Sequence, residues 1–173
     1  DGASLRLTVP AHFVTSARYP LTIDPLIVTF GAGTNLGSVI RQNRADVAHV
    51  GTFGGTYLVV YEEEYSATDH DVYARAFSSN GTALTGGYVD FTTATWSKPR
   101  VASNRAASQF LVAAERTASG VTTIWGRAVT FSMPSGLPTL TSSSQFAIQS
   151  FGSNGANPDV GGDPNPSTAP GNY

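Results

Sequence analysis

Hydrophobic and polar residues alternate at the start of the chain. In Ser4-Leu5-Arg6-Leu7-Thr8-Val9-Pro10, Leu5, Leu7 and Val9 fall on one side of an extended backbone and Ser4, Arg6 and Thr8 on the other. This period of two predicts a half-buried strand, and Pro10, which has no N–H to give a ladder, ends it. Residues 11–18 read as a short turn or a helical turn. Tyr19-Pro20-Leu21-Thr22-Ile23-Asp24-Pro25 is predicted to be extended, because each proline pushes its predecessor out of the helical region. Residues 26–30 predict another strand and residues 31–37 a loop.

From Asp46 the pattern repeats itself. Asp46-Val47-Ala48, Tyr57-Leu58-Val59-Val60-Tyr61-Glu62, Asp71-Val72-Tyr73-Ala74-Arg75-Ala76-Phe77 and a turn at Asn80-Gly81 form a first copy. Arg100-Val101-Ala102, Phe110-Leu111-Val112-Ala113-Ala114-Glu115, Thr123-Ile124-Trp125-Gly126-Arg127-Ala128-Val129 and a turn near Pro134-Ser135-Gly136 form a second. Val47 to Val101, Tyr57 to Phe110 and Arg75 to Arg127 are separated by 54, 53 and 52 residues, the signature of a structural repeat. Asn157-Pro158-Asp159-Val160, followed by Gly171-Asn172-Tyr173, reads as the opening of a third copy. Each copy has room for about four strands: a short first, two long central ones, and a last at residues 88–92 or 145–149. Leu58-Val59-Val60 and Leu111-Val112-Ala113 are apolar on both alternating faces, which predicts central strands covered on both sides. Apolar residues three and four apart, the mark of a helix, are almost absent.

These elements predict an all-β chain of two four-stranded repeats with an N-terminal extended strand arm; two such sheets facing each other would make a β-sandwich that resembles an immunoglobulin-like domain. The arm is placed at residues 1–23. The sandwich occupies residues 24–173, with repeats at 46–92 and 99–149 and a partial third repeat at 157–173.

Composition narrows the setting. Hydrophobic residues make up 40% of the chain, enough for a core, whereas charged residues make up only 13%, about half the usual share. The surface therefore rests on Ser, Thr, Asn, Gln and Gly, which suits secreted adhesive and fibrous proteins. A net charge of −2 gives no field to draw in nucleic acid. Without cysteine there are no disulfides and no thiolate zinc sites. No apolar run approaches the roughly 18 residues of a membrane span, and the start at Asp1 reads as a processed or trimmed product.

Chemistry-bearing patterns are weak. Gly31-Ala32-Gly33 follows an apolar strand, but no helix start follows to receive phosphate. Glu62-Glu63-Glu64 and Asp69-His70-Asp71 could gather oxygen ligands for calcium. They lack the order of a calcium loop and read first as a solvated strand end and hairpin. His12, His49 and His70 share no metal-site spacing, and no G-x-S-x-G elbow supports a Ser/His/Asp set. The expectation is a protein that is not an enzyme, with no cofactor and no metal. Tyr57, Tyr61, Tyr73, Trp96 and Trp125 are candidates for a sugar-binding platform, although aromatics in strands more often pack core. Asn80-Gly81-Thr82 matches a glycosylation sequon, so Asn80 is a candidate site, but Asn-Gly is first a hairpin turn.

The V-A opening, the Y-L-V-V-Y-E and D-V-Y-A-R strands and the N-G turn resemble the propeller-blade-like repeats of large secreted bacterial proteins. Residues 5–25, with their alternating strand, V-P step and A-R-Y-P-L-T-I-D-P run, resemble the end of a domain found just before such repeats. That preceding domain is not in the sequence, and two blades with a stub cannot close a propeller, which needs about four. The resemblance then extends to pilus-like extracellular fibril subunits assembled by donor-strand exchange, in which a strand of one subunit completes its neighbour's fold. It implies a structural subunit, extracellular or at the cell surface, with copies of itself as partners. Leu5, Leu7, Val9 and Phe13 would be the donor residues, and Leu58, Val60, Leu111 and Val112 the candidate acceptor or core positions; the other reading of the strand is that it folds back onto its own sheet. Three buried aliphatic side chains contribute roughly 5–9 kcal/mol, against roughly 7–14 kcal/mol to order seven residues. Residues 3–10 therefore need further contacts, expected from Phe13, Val14 and Tyr19 or from neighbouring subunits. The alternative expectation is a glycan- or surface-binding module of a larger secreted protein. Neither reading involves nucleic acid or a membrane span.

Overall fold

The computed structural model describes residues 41–90, 92–104, 108–149 and 154–162. The segment with Leu5, Leu7, Val9, Phe13 and His12, the Gly31–Gly33 loop and residues 163–173 lie outside the described residues. Nine strands account for most of the rest. They are β1 (Arg41–Val50), β2 (Thr56–Ser66), β3 (Asp69–Ser78), β4 (Ala83–Asp90), β5 (Thr95–Asn104), β6 (Gln109–Ala118), β7 (Val121–Ser132), β8 (Thr139–Ser142) and β9 (Phe146–Ala147). Helix is confined, among the described residues, to two 3-10 turns of three residues, Thr52–Gly54 and Pro134–Gly136.

The strands form two antiparallel sheets. The first has the order β1-β2-β3-β4; the second has β5-β6-β7-β8, with β9 also pairing on β7. This sequential order has no crossover of the kind that gives an immunoglobulin-like sandwich its Greek key; each sheet has the meander order of a propeller blade. As expected from their doubly apolar sequences, β2 and β6 are central. The strand starts Arg41 and Thr95, Thr56 and Gln109, Asp69 and Val121 are separated by 54, 53 and 52 residues.

Each sheet has a front face and a back face, set by alternation. On β2, Leu58, Val60 and Glu62 point forward; their partners Ala76, Ala74 and Val72 on β3 point the same way. On β6, Phe110, Val112 and Ala114 point back, beside Val129, Arg127 and Trp125 of β7. The front of the first sheet meets the back of the second in one core that includes Leu58, Val60, Val72, Trp96, Phe110, Val112 and Phe131. Asp90, fully buried, accepts from Arg127 Nη2 at 2.9 Å across the junction.

Three details differ from the sequence reading. The first strand of each copy is ten residues long rather than short. A bulge in each, between Asn43 and Asp46 and between Ser97 and Arg100, absorbs an irregular residue, and the ladder continues beyond it. The last strand of the first copy begins at Ala83, because Thr85, Gly86 and Gly87 pair with β3 through backbone alone. In the second copy the last strand is split into β8 and β9, joined along β7 by Ser143, whose N–H donates to the Ala128 carbonyl at 2.8 Å.

Candidate functional site

The two bulges carry a joint between repeats. Arg44 and Lys98 sit in them with φ of 54° and 50°, and Asn157, in the unpaired segment 154–162, has φ of 53°. All three are followed by the same step: Arg44-Ala45-Asp46-Val47, Lys98-Pro99-Arg100-Val101 and Asn157-Pro158-Asp159-Val160. The Lys98 backbone N–H donates to Glu62 Oε2 of the first sheet at 2.9 Å. One repeat later the Asn157 N–H donates to Glu115 Oε1 of the second sheet at 2.6 Å. Each glutamate also binds the cation of its own bulge: Arg44 Nε lies 3.4 Å from Glu62 and Lys98 Nζ 2.8 Å from Glu115. His70 Nδ1 meets Glu62 Oε1 at 2.7 Å. Both carboxylates are buried, and an acceptor at such a point can hold an N–H that no strand ladder satisfies.

Segment 154–162 therefore docks on the second sheet as β5 docks on the first. Besides Asn157, the Gly155 N–H donates to the Thr122 carbonyl at 3.0 Å. At Gly162 the approach is close: a Cβ there would lie 2.4 Å from the Ser103 carbonyl oxygen of β5, which only glycine permits. Beyond this joint the two junctions differ. The front of the first sheet is covered by β5, β6 and β7. The front of the second sheet, among the described residues, is covered only by 154–162. A cavity of about 530 Å³ lies between them, lined by Leu111, Ala113, Ile124, Ile148, Pro158 and Val160 among others. At its margin Phe146 and Ile148 stand 44% and 49% exposed.

The structure distributes the expected site residues over this frame. Leu58 and Val60 are fully buried on the front of the first sheet, and Val112 is buried on the back of the second. Leu111 lies on the opposite face and lines the cavity. Asn80 is exposed in the β3–β4 turn, where its Oδ1 accepts from Ser78 Oγ and the Thr82 N–H. The five aromatics do not form one platform. Tyr57, Tyr61 and Tyr73 share the back of the first sheet, where Tyr61 joins Val59 and Phe77 in a small second cluster. Trp96 is fully buried between the sheets, and Trp125 packs against that core under the Arg116 guanidinium, 5.0 Å from its ring centre.

The acidic run is also corrected. Glu62 and Glu63 are 2% and 0% exposed, not a solvated strand end. Glu63 accepts from Gln42 Nε2 at 2.8 Å and from the Tyr65 hydroxyl at 3.1 Å. Burial first, then Tyr88 and Glu63, hold the Tyr65 hydroxyl far above the usual phenol range. Burial, followed by the charges of Asp69, Asp90 and Glu63, pushes Asp71 up to about 6. Among the described residues no cluster of His, Asp or Glu has the geometry of a metal site, and no helix is long and apolar enough to cross a membrane. What sequence reasoning missed is the joint itself. Its signal was present as a glutamate closing the same apolar strand in both copies, Glu62 and Glu115.

Comparisons of the chain with protein-family models, with curated proteins and with solved structures find no match. The class of protein therefore rests on the fold alone: an all-β chain of two stacked antiparallel sheets, each one repeat.

Proposed function

We propose that this protein is a structural subunit of an extracellular, pilus-like bacterial filament, joined to its neighbours by insertion of the N-terminal strand. The observation that carries this reading is the front of the second sheet, which among the described residues is covered only by segment 154–162. It presents Leu111, Ala113, Ile124 and Ile148 around a cavity that one strand can fill. The same chain carries a strand of matching character, in which Leu5, Leu7 and Val9 line one face. Repeats that stack front to back make a heterologous contact, and a heterologous contact between copies extends into an open filament unless its rotation closes a ring. In this reading Leu58, Val60 and Val112 serve as core, and Leu111 belongs to the acceptor.

Negative-stain microscopy tests it. The full chain forms filaments, and deletion of residues 1–10 leaves dispersed particles. Leu7→Asp weakens assembly far more than Arg6→Asp, because only Leu7 faces the groove. Filaments of normal appearance from the truncated chain would end the proposal. The glycan-binding alternative has less to stand on, since its platform is divided between a surface and a core.

A further inference from the structure

We infer that the cavity on the second sheet is the second-strand position of a third repeat, and that residues 5–9 of another copy fill it antiparallel to segment 157–162, with Leu7 opposite Val160. This rests on the donor-strand reading and specifies its site, direction and register.

The register follows from the repeat. Val47 pairs with Val59 across β1 and β2, and Val101 pairs with Val112 across β5 and β6. Both valines stand three residues after a bulge residue of positive φ, as Val160 stands three after Asn157. Val160 is thus the third member of this series, and it lines the cavity as Val101 enters the inter-sheet core. Among the described residues no strand pairs with segment 154–162. Its backbone is hydrogen-bonded at Gly155 and Asn157, but among the described residues no ladder runs beside it.

In this reading the element that fills the cavity places apolar side chains toward the second sheet at every other residue. Phe110, Val112 and Ala114 do this on β6, directly over the front of the first sheet. Leu5, Leu7 and Val9 have the same spacing and the same chemistry. With Leu7 opposite Val160, Val9 falls opposite Pro158 and Leu5 opposite Gly162. Arg6 and Thr8 then point away from the second sheet. A slip of one residue would turn Arg6 and Thr8 into the cavity, so the alternation fixes the register.

The chain has no native cysteine, so engineered disulfides report the pairing cleanly. Full-length Leu7→Cys protein is mixed with full-length Val160→Cys protein carrying a mass tag, and oxidised mildly. The expected result is a mixed disulfide in at least tenfold greater yield than from Arg6→Cys with Val160→Cys. Val9→Cys with Pro158→Cys tests the same register should a first variant fail to fold. Equal yields from Leu7→Cys and Arg6→Cys would overturn the register. Filaments that depend on Leu7 but give no crosslink at Val160 or Pro158 would overturn the site while leaving the filament standing. A doubly substituted chain, Leu7→Cys with Val160→Cys, that closes only on itself would overturn occupation by a second copy and the filament reading with it.

Discussion

At Glu62 a carboxylate 2% exposed sits among the Lys98 N–H, His70 Nδ1 and Arg44 Nε. Removing it strands a buried donor of the second sheet and a nearby cation together. Glu62→Ala is expected to cost about 3–5 kcal/mol in urea unfolding, and Glu62→Gln less, because an amide oxygen still accepts from Lys98. Arg44→Ala should cost about 1 kcal/mol or less, since its side chain is half exposed. Asp71 behaves in the opposite sense. Its folded pKa, raised to about 6, lies above the unfolded value, so the fold favours the neutral acid. Stability from this group is present at acid pH and is lost as pH rises from about 4 through about 6. Asp71→Asn is expected to stabilise the protein by about 1–2 kcal/mol at pH 7 and to change little at pH 4. Unfolding curves at the two pH values check this, and equal effects at both would show that Asp71 is not destabilised in the fold.

Among the elements, the β6–β7 hairpin closes on a two-residue turn. Ala118 pairs with Val121, leaving Ser119 and Gly120 as a two-residue turn with φ of 51° and 77°. Positive φ at both positions is the turn whose twist matches the strands it joins. A Cβ on Gly120 would touch nothing, so Gly120→Ala isolates the backbone cost, expected to be about 1–2 kcal/mol by thermal or urea unfolding. An unchanged stability would mean that the turn relaxes to another form. The bulges of β1 and β5 are elements in the same sense. Each turns one residue out of the ladder, and the β5 bulge aims the freed Lys98 N–H at Glu62 of the repeat before.

Over the whole molecule, neither sheet buries its apolar face alone. Leu58, Val60 and Val72 of the first sheet are covered by Phe110, Val112 and Phe131 of the second. A fragment of residues 41–92 is therefore expected to lack a cooperative unfolding transition by circular dichroism, whereas the full chain unfolds as one unit. A cooperative transition in the fragment would show two independent domains. The same stacking leaves the front of the second sheet as the natural place for one more layer, and in the proposed filament another copy supplies it.

Local chemistry alone was enough to determine the all-β character, the repeat with its 54, 53 and 52 residue offsets and the central place of β2 and β6. Alternation, turn residues and doubly apolar runs act within a few residues of one another. Strand ends were less legible, because Thr85-Gly86-Gly87 pairs through backbone and carries no side-chain pattern. Only the tertiary structure decided that Glu62 is a buried acceptor rather than part of a solvated strand end, with Glu115 as its counterpart, that Trp96 is core rather than platform, and that Val112 enters the inter-sheet core while Leu111 lines the cavity. Those facts depend on which sheet lies across from which face, and that is fixed by the stacking of repeats rather than by any residue's neighbours in the chain.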